Sequence, residues 1–501
     1  MSIRARLGFS LFANLSKAVI TFGTGIIVAR GLGPEQYGTM MFLLATFVGV
    51  RSLLDMGSST AFFTFLSRRQ HSLHFVGWYF SWLGIQFIVP FLAIAFLFPA
   101  EWIELVWKGE QRSLVIIAFI AAYMQSVLWA ALLQISESQR LTYWVQGVAV
   151  LIALVHLAMM IWALWGGWLT VQWVLVLMAI EFGVAALVMM TRLNFPLFPK
   201  ERDSLKGVAI EFLRYCFPLV PYAWVNFAYV FTDRWLLQNY AGSVQQAYYS
   251  VAEQFGAIAT LATASILNIF WKEIAEAHQQ NNRERVVLLY QKVSRGLFYV
   301  AAVSAGFFAP WSEDILRMTL GVAYVGGTTT LMIMFFYPLH QSMGQIGSAV
   351  AYAIGDVAAY VKIMTVVMII SIVMTYFVLA NAEAPFPGLD LGSNGLAGKM
   401  LVVQILSVNA LAFYLSRSLG VKFDWLFQPL SALLCSGAGL LAYRLSHALM
   451  ANGATVAQFV VAGIFYLLLI VLSLYALPWL VGMTRSELVN LVRRPLMRAT
   501  Q

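Results

Sequence analysis

Arg51 and Asp55 stand four residues apart inside a long apolar run, so any helix formed there carries both on one face. A charge at mid-bilayer costs roughly 2.5–3.5 kcal/mol on insertion scales, and such a residue faces a partner or a wet cavity. Two chemistries are open to this pair. Asp55 neutralises Arg51 at i,i+4, or Arg51 stays available to hold an anion. Lys17 and Arg30 belong to the preceding apolar run and are candidates, with Arg51, for one cationic cluster. Glu181, Glu253, Asp356 and Lys362 also fall within apolar runs, and Asp233, Arg234 and Lys272 near their ends. Of these, Asp55, Asp233, Arg234, Glu253, Asp356 and Lys362 are candidates for gate or charge-pair roles. Lys272 follows Trp271 and reads as an interfacial anchor. His71 and His74 are spaced i,i+3 in a polar loop without further ligands nearby, which makes no metal site. No nucleotide-phosphate loop and no HExxH motif occurs, so neither ATP-driven transport within this chain nor a zinc-protease centre is expected.

The elements that position these groups are membrane spans. The chain has 501 residues, 61% hydrophobic and 11% charged, against about 25% charge in soluble domains. Windows of about 20 apolar residues, enough for one spanning helix, follow one another almost end to end. The expectation is an all-α polytopic membrane protein with spans near 10–30, 37–63, 76–99, 113–135, 144–165, 168–191, 213–237, 246–271, 290–310, 324–347, 350–380, 396–416, 425–449 and 455–480, 14 in all. The alternating ten-residue strands of a membrane barrel are missing. Arg4 and Arg6 precede a run too long for a signal peptide, and no small-x-small site follows, so that run is kept as the first span. Cys216 and Cys435 both sit in apolar runs, which excludes a disulfide framework.

Basic residues test the count. With 14 spans, one set of loops holds 21 Lys and Arg and the opposite set 7, with Lys17, Arg51 and Lys362 inside spans. By the positive-inside rule both termini are cytoplasmic. The net charge of +9 is then topological, and nucleic acid is not a partner. The long polar connections, 192–212 and 272–289, fall on the cytoplasmic side. The outer connections are short, and 381–395 is loop chemistry rich in proline and glycine.

Gly31, Gly33 and Pro34 turn the chain between the first two spans. The segment Leu-Gly-Pro-Glu-Gln-Tyr-Gly at 32–38 is echoed 209 residues later by Ala-Gly-Ser-Val-Gln-Gln-Ala at 241–247. That offset suggests an N-lobe of spans 1–6 (residues 1–205), a C-lobe of spans 7–12 (206–420) and a terminal pair with a cytoplasmic tail (421–501). Duplicated halves place a transport site between them. Pro218, Pro221, Asn226 and Tyr229 make span 7 bent and polar, a candidate gate, and Pro338 bends span 10.

Certain segments carry a resemblance. Arg30-Gly-Leu-Gly-Pro-Glu-Gln-Tyr-Gly38, followed by Leu54-Asp-Met-Gly-Ser-Ser-Thr60, resembles the start of polysaccharide-transporter (Wzx-like) flippases of the multidrug/oligosaccharidyl-lipid/polysaccharide (MOP) exporter superfamily. Thr232-Asp-Arg-Trp-Leu-Leu237, Phe336-Tyr-Pro-Leu-His-Gln341 and Ala353-Ile-Gly-Asp356 are similar to later parts of that family. The resemblance implies a two-lobed 14-helix protein of the bacterial inner membrane. Its substrate would be an undecaprenyl-pyrophosphate-linked oligosaccharide, flipped by alternating access for surface polysaccharide biosynthesis. It implies a cationic central cavity, here Lys17, Arg30 and Arg51, and, in some members, coupling to a proton or sodium gradient. It implies no other cofactor. Membrane lipids, a polysaccharide polymerase and glycosyltransferases are the implied partners. Two rival functions are an exporter of cationic drugs from the same superfamily and a membrane-bound polymerase or ligase. The first would favour net carboxylates, the second sizeable acidic or histidine-bearing outer loops, and this chain has neither.

Overall fold

The computed structural model describes residues 3–68, 73–193, 205–280, 282–451 and 453–487. The expected cytoplasmic residues Arg69, His71, Lys200, Arg202, Arg493, Arg494 and Arg498, and the middle of the 192–212 connection, lie outside the described residues. All regular structure among those described is helical. In chain order the α-helices are α1 Ile3–Asp55, α2 Ser58–Arg68, α3 Leu73–Leu92, α4 Ala100–Trp107, α5 Arg112–Tyr123, α6 Trp129–Ser138, α7 Thr142–Trp165, α8 Val171–Met190, α9 Leu205–Cys216 and α10 Val220–Gln279. Then come α11 Arg283–Phe308, α12 Ser312–Thr319, α13 Thr328–Met334, α14 Tyr337–Ala353, α15 Val357–Leu379, α16 Gly392–Leu419, α17 Phe427–Leu449 and α18 Thr455–Ala476.

Eleven described stretches are long and apolar enough to cross a membrane. Two of them, Phe12–Asp55 and Lys206–Ile258, enclose a kink and each supply two helices. With Phe427–Leu449 added, the total is 14, the expected number. Boundaries differ in two places. The expected 37–63 span breaks after Asp55, at Met56 and Gly57. Spans 10 and 11 divide at Ile354–Asp356, where Gly355 has φ +81°, so Asp356 lies in a turn and not within a span. A short turn without Lys or Arg leaves no mark in an apolar run.

The kinks are twins. α1 bends at Gly33 (φ 72°, ψ 169°) and α10 at Gly242 (φ 80°, ψ −179°), 209 positions on. Glycine reaches positive φ without a β-carbon clash, and Pro34 starts the next arm at the N1 position, where no amide donor is needed. Two of the prolines singled out in the spans also sit at starts. Pro218 lies in the 3₁₀ turn Phe217–Leu219 between α9 and α10, and Pro338 opens α14.

The chain divides into two compact units. One is Met1–Ala247 with Met368–Gly392, and the other is Tyr248–Val367 with Ser393–Gln501. The first has an aromatic cluster between α2, α3 and α9, in which Phe62 stacks on Tyr79 at 3.8 Å and Phe212 meets Phe65 edge-on at 5.2 Å. A second cluster packs α6, α7 and α8 around Trp129, Leu132 and Met189. In the other unit α10, α11, α14 and α16 share a core that includes Ile274, Ile346 and Leu415. There α11 and α17 meet backbone to backbone: a β-carbon on Gly439 would stand 1.8 Å from the Gly306 carbonyl oxygen. Close approach through small residues is how helices associate where lipid gives no hydrophobic driving force.

Candidate functional site

The second arm of α1 ends at Asp55 because Met56 (φ 45°) and Gly57 (φ 85°) leave the helical region. Asp55 then serves the next helix. Its Oδ1 accepts from Ser58 Oγ and from the Ser59 amide, each at 2.9 Å, and its Oδ2 accepts from Ser59 Oγ at 2.8 Å. A carboxylate at a helix N-terminus satisfies donors that have no partner within the helix and complements the helix dipole. Asp55 is thereby committed to α2.

Arg51 is left to other company. It is half-buried, and among the described residues no carboxylate lies within ion-pair distance of it. Its side chain borders a cleft of about 20 Å³ lined by Phe47, Gln86, Phe119, Tyr123 and Ser126, space for about one water molecule. The walls are fixed from below. Tyr123 donates to the Leu83 carbonyl at 2.7 Å and Gln86 to the Leu54 carbonyl at 3.2 Å. At the adjacent position, Asn226 of α10 donates to Ser52 at 2.7 Å, so the polar residue noted in span 7 holds the two helices together beside Arg51. A guanidinium brings five donors in a planar fork that matches phosphate oxygens two at a time.

The three expected cations do not form one cluster. Lys17 and Arg30 lie 13 positions apart on the unbroken first arm of α1, about 20 Å along the axis. Lys17 and Arg51 stand at similar distances from Gly33, roughly 25 Å by helical rise, whereas Arg30 is within one turn of it. Arg30 is exposed and Lys17 half-buried.

Near the kinks is a polar layer the sequence did not announce. Thr39 and Ser243 share a hydrogen bond at 3.1 Å, and Gln238 donates to Ser243 at 2.8 Å. Lys108 donates to Asn239 at 2.6 Å with its ammonium 4.0 Å from the centre of the Trp235 ring, a cation–π contact. Burial raises the Glu110 carboxyl above its ordinary value, partly offset by a hydrogen bond with Thr39. The 209-residue echo was the available signal, since it pairs the segments that carry Thr39 and Ser243.

The remaining candidates are dispersed. Asp233 and Arg234 are buried within α10, before its kink and not at a helix end, and Asp233 accepts from Thr375 of α15 at 2.6 Å. Both make further contacts. In the other unit Glu253 is exposed on α10 and partnered, Asp356 accepts from the Tyr414 hydroxyl, and Lys362 is exposed on α15.

This architecture is a transporter fold. An inward closed structure of the lipid II flippase MurJ superposes with a TM-score of 0.69 at 15% identity, over 94% of this chain and 99% of that one. An inward-facing multidrug resistance MATE family transporter of the MOP superfamily gives 0.59 at 16% identity, over 81% of this chain and 94% of that one. A MOP superfamily transporter from Pyrococcus furiosus gives 0.53 at 14%, over 83% and 95%. No curated protein is significantly similar in sequence. The sequence profile of the family described as polysaccharide biosynthesis protein matches residues 4–270, more than half of the chain. The chain belongs to that family, is embedded in a membrane, and has the MOP transporter fold, as the motifs at 30–60 led one to expect.

Proposed function

We propose that this protein is a flippase moving an undecaprenyl-pyrophosphate-linked oligosaccharide across the bacterial inner membrane by alternating access, with both termini cytoplasmic. Arg51 carries the reading: a half-buried guanidinium with no carboxylate within ion-pair distance among the described residues, bordering a small, largely apolar cleft on a membrane helix. A cation on a membrane helix without a carboxylate partner is costly, and a diphosphate would repay the cost when it arrives. The sugar head is too hydrated to cross hydrocarbon unaided, while the prenyl tail stays in lipid. Lys17 stands at a comparable distance along the opposite arm of α1 and would assist. Arg30, next to the kink, would meet the substrate at a different stage.

Arg51→Ala is expected to cut surface polysaccharide in cells by about tenfold or more at unchanged protein level, as loss of a charge-assisted hydrogen bond of about 1.5–3 kcal/mol implies. Arg51→Lys, which keeps the charge and loses the fork, should fall between. Export by Arg51→Ala equal to that of the unmodified protein would sink the reading.

A further inference from the structure

A cleft of about 580 Å³ in the second unit takes no part in the site above, and its size suits a small ligand or a headgroup. It opens where five helix ends meet: α10 ends at Gln279, α11 begins at Arg283, α14 ends at Ala353, α15 begins at Val357 and α16 ends at Leu419. His278, Arg283, Val286, Ile354, Asp356 and Leu419 are among the residues that line it. The last four of these helices belong to stretches long and apolar enough to cross a membrane. The cleft therefore sits at the level where hydrocarbon gives way to headgroups.

Arg283 is held in place. Its Nε donates to the Leu419 carbonyl at 3.1 Å and its Nη2 to the Ser418 carbonyl at 2.6 Å, satisfying groups that the end of α16 leaves without helical partners. Nη1 makes no bond among the described residues. Asp356 is half-buried, and its Oδ2 accepts from the Tyr414 hydroxyl while Oδ1 is left over. The amides of Gly355 and Asp356 donate to the carbonyls of Tyr352 and Ala351, so the turn presents a carboxylate and no donors. No ion pair joins Arg283 to Asp356 among the described residues. Other cations of the same elements are engaged elsewhere, Arg285 with Glu273 at 2.5 Å and Arg417 over the Phe413 ring at 4.5 Å.

We propose that this cleft binds the phosphoethanolamine headgroup of a membrane phospholipid, its phosphate on Arg283 and its ammonium on Asp356. Opposite charges kept apart, each with a bonding position to spare, suit a zwitterion. Asp356 repels a bare anion and Arg283 a bare cation. The guanidinium matches phosphate oxygens, and His278 adds a second donor to the lining. An ammonium brings three N–H donors to a carboxylate, in charge-assisted bonds. A choline headgroup has no such donor and is recognised on aromatic faces, yet no described residue lining the cleft is aromatic. Val286, Ile354 and Leu419 give the acyl end an apolar border. The bound headgroup bridges the end of α16 to the turn between α14 and α15. The proposal does not rest on the flippase reading.

The test is native mass spectrometry of the full chain, delipidated in detergent. It is offered equal amounts of phosphatidylethanolamine, phosphatidylcholine and phosphatidylglycerol with the same acyl chains. The ethanolamine lipid is expected to bind about tenfold better than either of the others, as one charge-assisted hydrogen bond implies. Asp356→Asn keeps an acceptor for Tyr414, should fold, and is expected to abolish the preference. Arg283→Lys keeps the charge and loses the fork, and is expected to weaken binding of the ethanolamine lipid. Equal binding of the three lipids, or a preference that persists in Asp356→Asn, overturns the proposal. Glycerophosphoethanolamine at the same concentration is expected to leave the bound lipid in place, and displacement by it would overturn the lipid as the source of the headgroup.

Discussion

A β-carbon on Gly38 would stand 1.7 Å from the carbonyl oxygen of Ser243. The two kinked segments therefore touch through bare backbone, and no side chain fits at position 38. Gly38→Ala is expected to destabilise the protein by about 1–3 kcal/mol, the usual cost of overpacking, or to open the contact. Gly23→Ala, with nothing within 4 Å, should be neutral or slightly stabilising. Thermal unfolding in detergent compares the two, and equal midpoints would show that the contact is not a real constraint.

The two carboxylate oxygens of Asp55 serve α2, which separates capping from charge neutralisation. Asp55→Asn keeps a good capping residue and should stay within a few tenths of a kcal/mol, whereas Asp55→Ala should lose about 0.5–2 kcal/mol. If Asp55 instead neutralised Arg51, Asn and Ala would cost the same. Unfolding midpoints of both variants decide the matter.

Glu110 provides a pH signature outside the spans. Its folded-state value is raised above 4.5 by burial, with Thr39 acting the other way. The native protein thus binds more protons than the unfolded chain once pH passes the ordinary value, and stability falls as pH rises until the folded value is passed. Glu110→Gln should remove that decline. Thr39→Val takes away the hydrogen bond that favours the ionised form, so its decline should extend to higher pH. A melting-temperature profile from pH 4 to 8 identical in all three proteins would refute this account.

In the second unit, buried His340 and Gln428 and half-buried Asn409 form a polar knot. His340 Nε2 and Gln428 Oε1 are 3.0 Å apart, and Gln428 Nε2 donates to Asn409 Oδ1 at 2.8 Å. Gln428→Leu strips partners from buried His340 and half-buried Asn409, at about 1–3 kcal/mol for a buried group left unsatisfied and less for a half-buried one. We expect a loss of about 2–4 kcal/mol in chemical denaturation. The double variant Asn409→Leu/Gln428→Leu should recover part of it, since one orphan is removed. No recovery would mean the loss comes from packing.

The spans were legible because hydrocarbon demands about 20 apolar residues per crossing, and this demand is written directly into composition. The expected orientation rests on the 21-to-7 split of basic residues between the two sets of connections. What the apolar pattern does not encode is how long helices bend or what a polar side chain turns toward. Gly33 and Gly242 were visible as an echo, yet their shared backbone geometry was not. Asp55 satisfied the i,i+4 rule toward Arg51 and equally the capping rule toward Ser58 and Ser59, and spacing alone does not choose between them. His156 Nδ1 lies 2.7 Å from Glu181 Oε2, and that contact was accessible in principle, since the midpoint of the two numbers falls in the 166–170 turn. Lys108 looked like any outer-loop cation, because the Trp235 ring and Asn239 beneath it are more than 120 residues away.

With Asp55 occupied by Ser58 and Ser59, the trailing arm of α1 has to leave the ribosome-bound channel as a segment burdened by a bare guanidinium. At roughly 2.5–3.5 kcal/mol, that burden makes unaided partitioning poor. Biogenesis is then expected to be cooperative, with the leading arm retained at the translocon until its successor emerges. Glycan-acceptor mapping on truncated nascent chains should find the trailing arm membrane-integrated only when the leading one is present.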